Sequence, residues 1–554
     1  MAFFRGSFKL ESSPMRYLFT LILLLISTAC LAQSRLQWTV SERTPTAQAN
    51  MLRAAATDAS GNTYTIQNTQ DATSFWLIDR FFAYDVHGNK RWEIVNDSCF
   101  SGCQAIYHLV VPVDNDGAIF LGGYDDSLMN RDFRLRRYNL DGTLRWQQDW
   151  AYPYMSVRPL IARFSPNGSL VVAMVNEVNP VDGDDFALAA FDTTNGTLLW
   201  DISIPDQGPV GVNLFETITD MEIDAAGTII CTGNGGNGLA AIIRNYYFSV
   251  SPAGSLNWIR FSNGNLIPSS TSRLELDGLG YFYRSHGQNG QLWLQKLDVA
   301  TGSIVWSLPY THDSASIAPV DLAFDGANPY LLFNYRYWIP DSSFSGGHWT
   351  NFDYSVYKYD TAGVSVFRRD YLSDLDSLAV QNGTGGAVQI GACGGDFYVL
   401  SRHALDSERT VLAINSFDTS GTVRWIDTTR MVMEPGGMTL DAECNVYLSR
   451  SDWLSGNYVT TVVQQFSDRL PTSLGEYGAE TLNIFPNPTT GIIRVTGLFP
   501  DWMQVTDLSG REVYAIAHTD QLDLGALPEG IYLLRLQFGD RSHCSLVVKN
   551  GHRR

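Results

Sequence analysis

The stretch that decides the fold is FDTTNGTLLW, residues 191–200. An aromatic residue and an aspartate lead into a polar turn, a glycine leaves it, and a tryptophan stands four residues after the glycine. LDVATGSIVW (297–306) and FDTSGTVRW (417–425) repeat the pattern. Glycine followed four positions later by an aromatic ring occurs at Gly88/Trp92, Gly142/Trp146, Gly196/Trp200, Gly254/Trp258, Gly302/Trp306, Gly363/Phe367 and Gly421/Trp425. The gaps between successive rings are 54, 54, 58, 48, 61 and 58 residues. A period near 50 marks a solenoid or a propeller.

A second phrase alternates with the first: a polar turn, then a short strand rich in β-branched and aromatic residues. It reads DASGNTYTI at 58–66, DNDGAIFLGG at 114–123, SPNGSLVVAM at 165–174 and DAAGTIICTG at 224–233. DGLGYFYRS (277–285), DGANPYLLF (325–333), CGGDFYVLS (393–401) and DAECNVYLS (441–449) complete eight copies. Asp, Asn and Gly accept the left-handed and side-chain-capped turns that join antiparallel strands. Each unit is thus two hairpins, or four strands, the size of a propeller blade. The ring-bearing residue falls on the last strand, where an indole can fill the wedge between neighbouring blades.

The first phrase has seven glycine-led copies and the second has eight. Trp38 lies 54 residues before Trp92 with no hairpin ahead of it, and TTVVQQFSD (460–468) is a third strand with no tryptophan strand after it. Ring closure reconciles the two counts: the N-terminal strand completes the last blade and removes the exposed edges of an open array. The expectation is an all-β, eight-bladed propeller over 33–470, with seven blades as the alternative.

The phrase with Asp, Gly and Trp resembles the tryptophan-docking repeats of pyrroloquinoline-quinone-type propellers. Quinone-dependent members carry adjacent cysteines beside the cofactor, and this chain has no Cys-Cys pair. After a polar linker (471–480), the segment 481–550 changes character. LNIFPNPTTGIIRVTG (482–497), VTDLSGREVY (505–514), LDLGALPEGIYLLRL (522–536) and SLVVK (545–549) are short apolar strands between turns, hence a small immunoglobulin-like sandwich. These motifs, with Pro486, Asn487, Pro488, Gly491, Asp507, Gly510 and Gly530, closely resemble the type A C-terminal sorting domain of the type IX secretion system of Bacteroidetes-type bacteria. The resemblance implies a periplasmic intermediate, recognition by the type IX machinery, and a secreted or surface-attached product. Residues 551–554 form a tail.

The start of the chain agrees with export. Met15-Arg16 precedes the apolar run LFTLILLLI (18–26), which is too short to span a bilayer, and small residues lead to Ala32. Residues 1–32 read as a signal peptide, with Met15 as an alternative start. Ser27 stands three before Cys30, where lipidation would call for an aliphatic residue. No later segment is apolar and long enough for a membrane helix.

The formal net charge of −19 argues against nucleic acid or an anionic membrane as partner, since either needs a clustered basic surface. Cys99 and Cys103 in CFSGC are close enough to bridge within one loop, while Cys231, Cys393, Cys444 and Cys544 are scattered. Acidic loops at Asp114–Gly117 and Asp182–Asp185 would attract calcium, but the spacing of a calcium-binding loop is absent and solvated turns are the plainer reading. No other cofactor is indicated. Neither His-Glu-x-x-His nor Gly-x-Ser-x-Gly occurs. His108 and His286 fall near strand phrases and read as structural. FNYRYW (333–338) with His348 and Trp349 offers rings that could stack on sugars or simply pack. With no catalytic residue in evidence, the chain reads as a glycan- or protein-binding module. A lyase, glycosidase or quinone-like oxidoreductase working in the channel, and a structural scaffold, are the alternatives.

Overall fold

The structure, a computed structural model, describes residues 36–467 and 483–549 except short segments. In the repeat these are 43–46, 72–76, 97–105, 126–130, 151–155, 180–182, 205–213, 238–241, 265–271, 289–290, 312–315, 327, 340–347, 372–385, 405–409, 432–434 and 455–457. In the last part they are 486–488, 490, 497–501, 508–511, 518–519 and 539–540. The signal reading (1–32), the linker, the Cys99/Cys103 bridge and the Pro486–Pro488 and Gly510 motifs lie outside the described residues.

Strand β1 (Leu36–Glu42) comes first. It is followed by Ala47–Thr57, Thr63–Asp71, Leu77–Tyr84 and Lys90–Asn96 (β2–β5), then Ile106–Val113, Gly117–Asp125, Arg131–Tyr138 and Leu144–Trp150 (β6–β9). Ser156–Phe164, Ser169–Asn179, Gly183–Asp192 and Leu198–Ile204 (β10–β13) precede Leu214–Ile223, Ile229–Asn237, Ile242–Val250 and Leu256–Gly264 (β14–β17). Next are Arg273–Leu276, Tyr281–Gln288, Gln291–Asp298 and Ile304–Tyr310 (β18–β21), and Ser316–Phe324, Pro329–Ile339, His348–Tyr359 and Ser365–Tyr371 (β22–β25). Gly386–Cys393, Asp396–Ala404, Thr410–Phe417 and Val423–Met431 (β26–β29) lead to Pro435–Leu440, Val446–Leu454 and Tyr458–Phe466 (β30–β32).

Each group of four is an antiparallel meander, and β6–β9 joins β10–β13 through one parallel pairing, Ser156 with Arg131. The last group has only three strands of its own. Its fourth is β1, which pairs antiparallel with β32 in the register Trp38/Gln465 and Val40/Val463. The first strands pack side by side around a circle, β2 to β6, β10, β14, β18, β22, β26 and β30, and β30 meets β2 again. This is a β-propeller with its first strands around a central channel.

The core is a series of seams between adjacent sheets. Phe81 and Trp92 meet Phe120 and Tyr138, Phe186 meets Tyr246 and Phe248, and Phe397 and Phe417 meet Tyr330. At the closure, Trp38 and Val40 pack with Phe82, Tyr84 and Val463. The turn sequences explain the hairpins locally. Asp58 Oδ1 accepts the amides of Ser60 and Asn62, and Asp224, Asp277, Asp360, Asp418 and Asp441 make the same pair of bonds in their own turns.

The C-terminal strands form two further sheets. Ile492–Thr496 (β34) pairs with Asn483–Phe485 (β33) on one side and Gln521–Asp523 (β37) on the other; Trp502–Thr506 and Glu512–Ala517 (β35, β36) come between β34 and β37 in the chain. The second sheet runs β36-β35-β38-β39, with Gly530–Phe538 and Arg541–Lys549 as its last two strands. Ile493, Val495 and Leu522 of one sheet share a core with Met503, Val505, Leu534 and Val547 of the other. Among the described residues no helix is long and apolar enough to cross a membrane.

Candidate ligand site in the central channel

The repeated tryptophans do not line the channel; they sit on the fourth strands and dock on the next sheet. A methyl group placed on Gly302, whose φ is +66°, would stand 2.7 Å from the Trp258 ring. Left-handed backbone and ring contact together admit only glycine there. Gly88, Gly142, Gly196 and Gly254 receive Trp38, Trp92, Trp146 and Trp200 in the same way, and Gly363 and Gly421 receive Trp306 and Phe367. Each indole N–H also donates to a carbonyl in that turn, at 2.8 Å for Trp38 to Val86 and 3.0 Å for Trp258 to Val299. Trp425 faces the closing sheet and packs with Phe466 and Leu36. The closing sheet's third and fourth strands, β32 and β1, are not joined by a hairpin turn of the kind that receives the other rings.

The channel is shaped by the first strands. A one-residue bulge interrupts pairing at Arg53, His108, Leu160, Thr219, Val320, Val388 and Gly436. A bulge re-aims the residues around it. Just after it, Asp220, Asp321 and Gln389 each reach across to the next first strand. They accept the amides of Leu274 (3.0 Å), Ile390 (3.1 Å) and Met438 (2.8 Å). Arg273 occupies the equivalent place on β18 and donates to the carbonyls of Val320 and Thr219, both at 3.1 Å. It stands 3.7 Å from Asp321.

Two residues further along, nearer the turns, Arg163, Glu222 and Glu275 follow one another on β10, β14 and β18. Arg163 lies 3.8 Å from Glu222. It also lines a cavity of about 340 Å³ at the turn end of the channel, with Ala56, Asp58, Val111, Asp114 and Ala162.

The electrostatics follow from crowding four carboxylates inside a protein wall. Burial raises the pKa of Glu275 to about 9, helped by the charges of Glu222, Asp220 and Asp321 and opposed by Arg163. Burial raises Glu222 and Asp321 to about 7, against Arg163 and Arg273 respectively, and also raises Asp220. Glu222 and Asp321 keep 27% and 20% of their side-chain surface open, so channel water tempers these shifts. Glu275 is a neutral acid at pH 7, able to donate as well as accept, and Glu222 shares its proton near neutrality. The arrangement offers hydrogen-bond donors, acceptors and one guanidinium beside an open cavity.

Sequence reading overlooked this arc. Its signal is a charge two or four residues before the turn aspartate, as in ITDMEID (218–224), SRLELD (272–277) and PVDLAFD (319–325). In the acidic loops, three of the carboxylates have partners, and Asp182 lies outside the described residues. Asp114 accepts from Ser60 at 3.1 Å, Asp116 pairs with Arg137 and Arg145, and Asp185 accepts from Ser203. No group of three metal-ligating side chains occurs among the described residues. The His108 ring bonds to the Pro159 carbonyl at 2.7 Å, and His286 is buried in β19. Trp338 pairs with Trp349 along the long β23–β24 hairpin. Cys393 is bonded to Cys444, Cys231 is a buried thiol, and Cys544 lies on β39. In the C-terminal part, the Gly491 carbonyl accepts from Leu524, Asp507 follows β35, and Gly530 pairs with Lys549.

Residues 483–550 match the family described as secretion system C-terminal sorting domain. That tail marks the protein as secreted or attached to the cell surface, and as a client of the type IX machinery. No curated protein matches the chain in sequence. Among solved structures it is similar to the Dos1 propeller, with 9% identity, TM-score 0.45, and coverage of 79% of this chain and 97% of that one. The polysaccharide lyase Uly1 follows at 11% identity and TM-score 0.41, over 75% and 89% of the two chains. The propeller domain of the Trilobed protease from Pyrococcus furiosus has 10% identity and TM-score 0.37, over 68% and 98%.

Proposed function

We propose that the chain is an exported eight-bladed propeller with pyrroloquinoline-quinone-like repeats and an immunoglobulin-like sorting domain, and that it binds a glycan in its channel. The count of eight is supported by the circle of first strands that returns from β30 to β2. The observation that carries the ligand reading is Arg163 in the wall of the 340 Å³ cavity, with Glu222 3.8 Å from it and the charges of both acting on Glu275. A protonated carboxyl, a carboxyl near its titration point and a guanidinium together match the donor–acceptor pattern of vicinal hydroxyls.

A second reading is acid–base hydrolysis of that glycan, favoured by two carboxyls of raised pKa, Glu222 and Glu275, in one channel. The test is a glycan array probed with the full chain and with Arg163→Ala, Glu222→Gln and Glu275→Gln. Binding should fall at least about tenfold in the variants, the loss of one charge-assisted hydrogen bond. Retention unchanged by all three substitutions would remove the channel from the account. Release of reducing ends by the parent protein, abolished in Glu275→Gln, would favour hydrolysis.

A further inference from the structure

We infer that Arg284 forms the cationic wall of a buried anion site between the β14–β17 and β18–β21 sheets, taking a small monovalent inorganic anion such as chloride. Arg284 stands on β19, opposite Leu274 and Gln295, and is wholly buried. Its Nε, Nη1 and Nη2 have no hydrogen-bond partner among the described residues. Its guanidinium carbon lies over the face of Tyr247, 4.4 Å from the ring centroid.

Three other buried cations have a carboxylate partner. Lys296 has Asp277 at 3.5 Å, Lys358 has Asp325 at 2.9 Å, and Arg137 has Asp116. Among the described residues Arg284 has no such carboxylate beside it. Burial lowers its pKa only to about 10, so the guanidinium is cationic at neutral pH. A ring face does not replace the water lost from five N–H donors.

Three polar side chains of the same seam are already engaged. Asn245 donates to Gly287 O and accepts from Ser272 Oγ, both at 3.1 Å, and Thr232 Oγ1 donates to Tyr246 O at 3.0 Å. A buried cation left over from such a network calls for a counter-ion from outside the chain. Arg284, Asn245, Ser272 and His286 are each at most 1% exposed, so the seam admits only a small ion.

The experiment uses the full chain. Crystals grown with bromide should show an anomalous peak within hydrogen-bond distance of the Arg284 guanidinium. In solution at constant ionic strength, replacing gluconate by chloride should raise the unfolding midpoint by about 1–2 °C per tenfold excess over Kd. Arg284→Met should abolish that dependence. Crystals with no bromide at Arg284, or a midpoint whose halide dependence is absent or unaltered by Arg284→Met, would overturn the inference.

Discussion

At the scale of single residues, two kinds of side chain do separable jobs. Trp258 is 7% exposed, with its ring on Gly302 and its N–H on Val299. Trp258→Ala should lower unfolding free energy by about 3–5 kcal/mol, measured by urea denaturation. Gly302→Ala should also destabilise, because the new methyl meets the ring and the backbone is left-handed. Glu275 carries the opposite signature, a group the fold keeps protonated. Its folded pKa of about 9 lies above the ordinary carboxylate value, so between the two the folded state holds the extra proton. Stability from this group is complete below the unfolded pKa and is lost as pH rises towards 9. Urea midpoints at pH 5 and pH 9 should therefore differ less in Glu275→Gln than in the parent. Equal slopes in the two proteins would show that Glu275 is not proton-bound in the fold. The tryptophan was legible because it recurs with its glycine. The glutamate was not, since a charge in a short strand gains meaning only from its neighbours on other sheets.

At the scale of elements, the last sheet is the one built from distant pieces, and it is fastened twice. β1 pairs with β32. The Cys393–Cys444 disulfide ties the β26–β27 turn to the β30–β31 turn across 51 residues. Cys444 takes φ +65°, in the turn position that Gly61 fills elsewhere. Replacing both cysteines by serine should cost about 2–4 kcal/mol, seen equally as a reductant-dependent shift in the parent's midpoint. Removing residues 36–42 should be worse, because it strips the β32 edge and uncovers Phe82 and Tyr84. Light scattering would report the resulting association. Strand rhythm announced the hairpins, but not the pairing of these two cysteines. Spacing along the chain offers Cys99 with Cys103, which lie outside the described residues; the Cys393–Cys444 bridge joins turns of successive sheets that only the circle brings together.

At the scale of the whole molecule, a propeller and a two-sheet sorting domain divide the work. The tail sets the destination, so deleting residues 482–550 should leave the protein in the periplasm, as cell fractionation would show. Normal export of that truncation would refute the sorting role. The sequence by itself determined the all-β repeat, the turn chemistry and the exported fate, because each is written in contiguous residues whose spacing is local. Only the tertiary structure decided that Arg163, Glu222, Glu275 and Asp321 share one channel and that Arg284 is sealed in a seam with no counter-charge among the described residues. Those juxtapositions arise from closing a circle, and no spacing within a single repeat encodes which side chains of different sheets will face each other.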